Sequence, residues 1–415
     1  MKLLADRAHL DLPEMRDDPD EQRRRTQRER LKAANLAAAR WFHEQLFTPA
    51  GEGSLKYLKN RGLSDAVIRR FGLGAAPDRW DALTKELQRQ GYTLQELALA
   101  GLTVLKPAQP ATEAEPAKPE RAFDMFRNRA IFPIIDQYGN VLAFGGRAID
   151  GAMPKYLNTS DTPIFNKRLG VYAANLLKKE RNLSRVVLVE GYMDVVSLRQ
   201  FGVEGVVATL GTALTPEQAR LLRRAAPAVY LAYDGDSAGQ HAIERGLGIL
   251  EAEGVEAKVL VFPDSLDPDE FIRRDGREGF DRLPAISPST YRIDRLRLQS
   301  DLTTQEGRAA FARGCAPILK KLDPIDLDLA LRELTVQTGF SREVLLAQME
   351  LTPAPETPQA QPAASPQPGT APQPVRPRPR VTALRKGDTM RAQETVISIM
   401  ATGRLPSNML SNIAS

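Results

Sequence analysis

Three short apolar runs, at 186–189, 228–232 and 258–262, are rich in β-branched residues and nearly uninterrupted. Such runs predict strands buried on both faces. A fourth run, 205–208, fills the remaining strand slot. Between the runs the apolar spacing becomes helical, at 194–201, at 216–225 with Pro216 in a first turn, and at 238–253. Strand alternating with helix predicts a parallel sheet joined by right-handed crossovers. Upstream, 40–47 and 80–91 read as amphipathic helices, and 130–135 and 141–144 as strands joined by a turn at 136–140 around Gly139. Downstream, 286–350 carries Leu, Ala and Ile at helical spacing. The expected fold class is α/β: an α+β N-terminal subdomain, a central parallel sheet flanked by helices, and a helical C-terminal subdomain.

In a parallel sheet the carboxyl ends of the strands face one crevice, where ligands bind. Acidic clusters fall where the predicted strands end: Glu190 and Asp194 in VVLVEGYMD, Asp234 and Asp236 in VYLAYDGD, Asp267 and Asp269 in SLDPD. The chain has 52 acidic residues, most of which must be solvated surface groups, and DGD alone is a common turn. Three clusters at three strand ends of one unit point instead to a metal site. Converging carboxylates repel and raise one another's pKa values unless a cation neutralises them, and hard oxygen donors favour Mg²⁺ or Mn²⁺ over zinc.

Positive charge lies just upstream. Arg127 and Arg129 flank the strand at 130–135, Gly145 and Gly146 are expected to let backbone approach a ligand closely, and Arg147 follows. Lys155, Asn158 and Lys167 sit on a stretch without regular periodicity, expected to be a loop wrapping the site.

With 415 residues, 42% hydrophobic and 26% charged, the chain has material for two or three domains. No apolar run is long enough to span a membrane and no secretory signal opens the chain, so a cytoplasmic protein without a membrane partner is expected. The single Cys315 is expected in a helix core and cannot build a multi-cysteine zinc site. His9, His43 and His241 are scattered, and no Walker-type phosphate loop is present. The stretch 352–380, rich in Pro, Ala and Gln, reads as a disordered linker, 390–400 as weakly helical, and 106–120 as a mobile surface insertion.

Residues 183–270 resemble the Toprim domain shared by bacterial primases, topoisomerases and some nucleases, with Glu190 as its glutamate and Asp234/Asp236 as its DxD. EGYMDVVSLRQFGV, ATLGTALTPEQ, YDGDSAGQHA, FRNRAIFPIIDQYGNVLAFGGR, PKYLNTSDTPIFNK and YLKNRGLSDAVIRRFGLGAAPDRWD together resemble the DnaG-type bacterial primase family over roughly residues 30–350. The resemblance implies a segment at 1–28 that would follow a missing zinc-ribbon module, a basic N-terminal subdomain at 29–180, a Toprim catalytic domain at 181–285, a helical subdomain at 286–350, a linker at 351–382, and at 383–415 the start of a truncated C-terminal region. It implies Glu190, Asp234 and Asp236 as catalytic residues holding the principal ions, with Asp194, Asp267 and Asp269 as further metal-site carboxylates. Arg61, Arg147, Lys155, Asn158 and Lys167 would bind nucleotide or nucleic acid.

The implied activity is synthesis of short RNA primers from ribonucleoside triphosphates on single-stranded DNA during replication, using two or more Mg²⁺ or Mn²⁺ ions and no zinc. Implied partners are the template, the triphosphates and the RNA primer/DNA hybrid; stable docking to the replicative helicase would need the absent C-terminal domain. Two other classes use the same residues: a Toprim nuclease, against which the basic FGGR and PKYLN segments argue, and a non-catalytic replisome scaffold, against which the full acidic set argues. Tyr192 is expected to pack rather than to act as a nucleophile, which argues against a topoisomerase.

Overall fold

The structure, a computed structural model, describes residues 19–106, 108 and 121–352. The expectations for 1–18, for most of the insertion at 106–120, for the linker and for 383–415 lie outside the described residues.

Helix α1 (Pro19–Leu46) runs through the boundary expected at 28/29. Its first turns are exposed, and from Leu31 onward one face carries Leu31, Ala34, Ala38, Phe42 and Leu46 into the core. There follow α2 (Glu52–Asn60), α3 (Asp65–Arg70), β1 (Gly74–Ala76), α4 (Ala82–Arg89), α5 (Leu94–Leu99), β2 (Thr103–Lys106), β3 (Arg121–Asp124), β4 (Arg129–Ile135), β5 (Val141–Ala148), β6 (Tyr156–Asn158) and α6 (Ala174–Leu177). Strands β1, β4, β5 and β6 form an antiparallel sheet in the order β1-β4-β5-β6, and β2 and β3 a separate ribbon. The segment expected to be a loop around Lys155 and Asn158 therefore contains a strand, pairing Arg147 with Tyr156 and Gly145 with Asn158. Its three residues are too few to show a period.

The α/β unit comprises β7 (Arg185–Val189), α7 (Tyr192–Gln200), β8 (Val206–Ala208), α8 (Pro216–Arg223), β9 (Ala228–Leu231), α9 (Ser237–Ala252), β10 (Glu256–Leu260), α10 (Pro268–Asp281) and β11 (Ala285–Ile286). The sheet order is β11-β10-β9-β7-β8, parallel throughout except for the antiparallel edge strand β11. The uninterrupted apolar run of β7 has a direct cause: Val187 and Val189 enter one hydrophobic cluster, Val186 and Leu188 the other. The first cluster also holds Leu46, Leu58, Ile68 and Phe132, so the N-terminal subdomain and the sheet share a core. Leaving β7, the chain goes first to β8 on one side and then crosses to β9 on the other, which makes the carboxyl ends of β7 and β9 the topological switch point where a ligand crevice opens.

Four helices complete the described chain: α11 (Pro288–Gln299), α12 (Gln305–Leu319), α13 (Pro324–Thr338) and α14 (Arg342–Leu351). They bury a core of their own around Phe311, Cys315, Leu331 and Leu345. Burial pushes the Cys315 thiol up to about 12, which leaves it an inert packing residue. Among the described residues, no helix is long and apolar enough to cross a membrane.

Candidate active site

Glu190 directly follows β7, and Asp234 lies three residues beyond β9, so the two carboxylates stand at the switch point. Glu190 is half-buried, and its Oε1 is buried without a hydrogen-bond partner. Burial, and then the charges of Asp234 and Asp236, raise its carboxyl to about 7, against the opposing backbone N–H of Asp234. Asp234 is raised by burial and by Asp267 and Asp236, while Lys155 pulls it down. Asp267 is raised by burial and its acidic neighbours, with Arg61 opposing. Asp194, almost fully buried, is raised well above the usual carboxylate range by burial and by Asp234, Asp267 and Asp269. These acids form one electrostatically coupled set.

Local structure fixes each of them. Asp194 Oδ2 accepts from the Gly191 N–H at 3.0 Å in the first turn of α7. Asp236 caps α9, its Oδ1 accepting from Gly239 at 2.7 Å, and Asp267 caps α10, accepting from Glu270 at 2.6 Å. A β-carbon on Gly239 would lie 2.2 Å from the Asp234 carbonyl oxygen and 3.0 Å from Glu190 Oε1, so only glycine lets α9 start this close to the acids. Three helix N-termini, with their partial positive charge, thus face the crevice.

Asp269 is arranged differently. Its carboxylate accepts from Ser197 Oγ at 2.5 Å, from Arg61 Nη1 at 2.8 Å and from Arg273 at 2.9 and 3.1 Å. Two guanidinium groups already neutralise it, so it anchors arginines where the sequence placed it among metal-site carboxylates. Arg61, expected at a phosphate, spends one donor on that anchor and stands beside Asp267.

Among the described residues, no group of three or more His, Cys, Asp and Glu side chains is drawn together closely enough to hold a metal ion. The donor chemistry nevertheless fits a hard divalent cation: every donor is oxygen, one buried carboxylate oxygen lacks a partner, and burial followed by neighbouring acidic charge holds the Glu190, Asp194 and Asp234 carboxyls high.

The facing wall is basic. The Arg147 guanidinium lies over the rings of Tyr57 and Tyr156 at 5.4 and 5.3 Å and donates to the Ala148 carbonyl at 2.7 Å. Lys155 is exposed next to β6 and close enough to Asp234 to depress its pKa. Asn158 Oδ1 accepts from the Tyr192 hydroxyl at 2.9 Å, and its Nδ2 donates weakly to the Leu210 carbonyl at 3.4 Å, so this amide ties the wall to the sheet. Lys167 is held through its main chain, which accepts from Gln218 at 3.0 Å and donates to Asp161 at 3.1 Å. Tyr192 is buried against Phe132 and Tyr172. The close approach at Gly145 and Gly146 is to Tyr192 and Phe126, not to a ligand.

Residues 41–178 match the family described as DNA primase catalytic core, N-terminal domain; residues 187–272 match Toprim-like; residues 289–343 match DnaB-helicase binding domain of primase. A DNA primase of Clostridium acetobutylicum is 38% identical over 347 residues, 83% of this chain and 56% of that protein. The crystal structure of a DNA primase domain from Pseudomonas aeruginosa superposes with a TM-score of 0.61 at 35% identity, over 77% of this chain and 99% of that one. A DnaG primase catalytic domain bound to ssDNA gives 0.61 at 33% identity, over 76% and 98%. The chain belongs to the bacterial DnaG-type DNA primase family. It spans about half the length of the curated primases it matches. Helices α11–α13, read from sequence as the helical part of the primase core, are the segment that the family describes as helicase-binding.

One feature of the surface was not visible in the residue pattern. Trp80 is 54% exposed, its ring 4.8 Å from that of Phe123 on β3. The Arg127 guanidinium covers both rings, at 4.5 and 5.2 Å, and Lys106 lies 5.6 Å from Phe123. An exposed stack of aromatic and cationic groups suits unpaired bases. The only available signal was a tryptophan beside Arg79 in a chain with two tryptophans. Arg129 is structural, with Nη1 donating to the Gly146 and Pro154 carbonyls at 3.0 and 2.9 Å.

Proposed function

We propose that this chain is the polymerising core of a bacterial primase, joining ribonucleoside triphosphates into short RNA primers on single-stranded DNA. The observation that carries the proposal is Glu190 Oε1, buried and unpartnered among coupled carboxylates at the switch point, with Lys155 and Arg147 on the wall opposite. Glu190, Asp234 and Asp236 would hold Mg²⁺ or Mn²⁺, with Asp194 and Asp267 supporting them. Such ions, when bound, supply Lewis-acid stabilisation of the attacking and leaving oxygens.

The chain's own residues then have distinct tasks. Lys155 and Arg147 neutralise triphosphate charge as the primer 3′ oxygen forms its bond to the α-phosphorus and the bond to pyrophosphate breaks. Glu190, placed at the switch point beside Asp234 and Asp236, would also assist deprotonation of the primer hydroxyl. Trp80, Phe123 and Arg127 stack and neutralise the single-stranded template; that a similar DnaG catalytic domain is bound to ssDNA supports template binding as such. Helices α11–α13, through their family description, support a helicase contact.

The experiment combines single-stranded DNA, labelled ribonucleotides and Mg²⁺ or Mn²⁺ with wild type, Glu190→Gln and Asp234→Asn. Metal-dependent short RNA that disappears in both variants is the expected result. Shortened DNA, with no RNA even on a pre-annealed primer, overturns the proposal in favour of a nuclease.

A further inference from the structure

Behind the active-site wall lies a second recess that the chemistry above does not use. It is a slot of about 210 Å³ between the β4–β5 hairpin and α8, with walls that include Ile134, Leu142, Phe165, Leu169 and Leu221. Gln137, Tyr138 and Asn166 ring the slot with amide and phenol groups, beside the Asp136 carboxylate, which is taken up by the Tyr138 and Asn140 N–H groups and the Asn140 amide. A wider basin of about 610 Å³ shares Gln137, Tyr138, Leu169, Ala174 and Leu221 with the slot and adds Lys178, Arg220 and Arg224. The two recesses are therefore continuous, apolar at one end and charged at the other, where Glu180, paired with Arg199, and Glu217 line the basin beside the cations and Arg220 is paired with Glu217 and Glu253. Small-molecule sites of roughly 300–1,000 Å³ commonly combine an apolar body with a few polar groups in this way.

Three of the polar groups there are unspent. Among the described residues, the Tyr138 hydroxyl, Lys178 Nζ and the Arg224 guanidinium have no hydrogen-bond or ion-pair partner. Tyr138 is 79% exposed and Leu169 57% exposed, high values for side chains of this size. Glu217, also in the basin, has its Oε2 buried with no donor, although its Oε1 accepts from Arg220 at 3.3 Å. Free cations, a ring at the mouth, an unfilled acceptor and an apolar slot rimmed by amides complement one ligand class: a heteroaromatic base joined to hydroxyls and phosphate.

We propose that this slot and basin form a second nucleotide site, with the base between Leu169 and Leu221, a ribose hydroxyl donating to Glu217, and the phosphates on Lys178 and Arg224. The site is separate from the polymerising centre yet joined to it. Leu210 lines the slot, and its carbonyl accepts from Asn158, which in turn accepts from Tyr192, two residues after Glu190. An occupant therefore presses on the amide that ties the basic wall to the acidic sheet.

The probe is 8-azido-ADP, photolysed in EDTA so that the carboxylate centre has no cation through which to hold phosphate. The labelled chain is mapped by mass spectrometry, and the result does not depend on primer synthesis. Labelling is expected within 134–142, 164–171 or 216–225. It should fall about tenfold in Leu169→Trp, which fills the slot, and likewise in Arg224→Glu, which removes a phosphate contact. Both substitutions are at exposed positions, and thermal melting verifies that each variant is folded. Labelling confined to 147–160, 190–194 and 232–236, or labelling of the slot peptides unchanged in both variants, overturns the proposal.

Discussion

Arg61 and Asp269 meet at 2.8 Å although 208 residues separate them in sequence. The carboxylate is 2% exposed and is shared with Arg273 and Ser197, so the end of α2 is fastened to the start of α10 beside the acidic crevice. Asp269→Ala should therefore behave as a broken ion-pair anchor. It should lower unfolding free energy by about 3 kcal/mol, the low end for a buried pair because both arginines can rehydrate. Thermal or denaturant unfolding checks this. A loss of Mg²⁺ affinity at unchanged stability would instead return Asp269 to the metal site.

The pH dependence of stability follows from the acids at the switch point. Glu190 is raised to about 7 in the folded state, and Asp194, Asp234 and Asp267 are raised in the same direction. The folded chain thus binds more protons than the unfolded chain between the ordinary carboxylate range and about pH 7, so stability must fall as pH rises through that window. Without divalent cations, the melting temperature should be higher near pH 5.5 than near pH 7.5. Millimolar Mg²⁺ should recover most of the difference, and Glu190→Gln should flatten the metal-free profile. A metal-free profile that rises with pH would contradict the coupling.

Much of this arrangement was legible in the residue pattern. The β7 run was readable because its alternate residues enter two cores, and Glu190 and Asp234 because each follows such a run. Pairings across distance were not. Gly145 and Gly146 announced a close approach, yet nothing local says that the approaching groups are Tyr192 and Phe126. Asp267 and Asp269 announced an acidic end, but of the arginines that claim Asp269 one follows α2, 208 residues away, and the other lies a turn further along α10. The strands β6 and β11 have three and two residues, too short for any periodicity, and exist because a neighbouring strand offers its edge.

The contact at Gly145 predicts a specific failure. A β-carbon there would lie 2.2 Å from Cε2 of Tyr192, and the ring cannot retreat because Phe132 and Tyr172 pack on it at 5.6 and 4.7 Å. Gly145→Ala should cost about 1–3 kcal/mol, as overpacking does. It should also loosen the Tyr192–Asn158 hydrogen bond and so depress primer synthesis beyond the loss of folded protein. In a double-mutant cycle with Tyr192→Ala, part of the Gly145→Ala cost should vanish; full additivity would mean that the two residues do not conflict.

Trp80 and Arg127 share one stack, yet their roles in binding a template are separable by salt. A base stacked on Trp80 contributes dispersion and desolvation that do not depend on counterions, worth about 1–3 kcal/mol per base. Trp80→Ala should therefore weaken single-stranded DNA binding by roughly 5- to 150-fold at every salt concentration, leaving the log-log salt slope unchanged. Arg127→Gln keeps a planar group over the rings but removes the charge, so its slope should become shallower by about 0.7, the release expected for one neutralised phosphate on a single strand. Fluorescence anisotropy with a labelled oligonucleotide across a salt series reads both quantities. If Trp80→Ala changed the slope and not the intercept, the ring would be serving only to position Arg127, and the phosphate contact would carry the interaction alone.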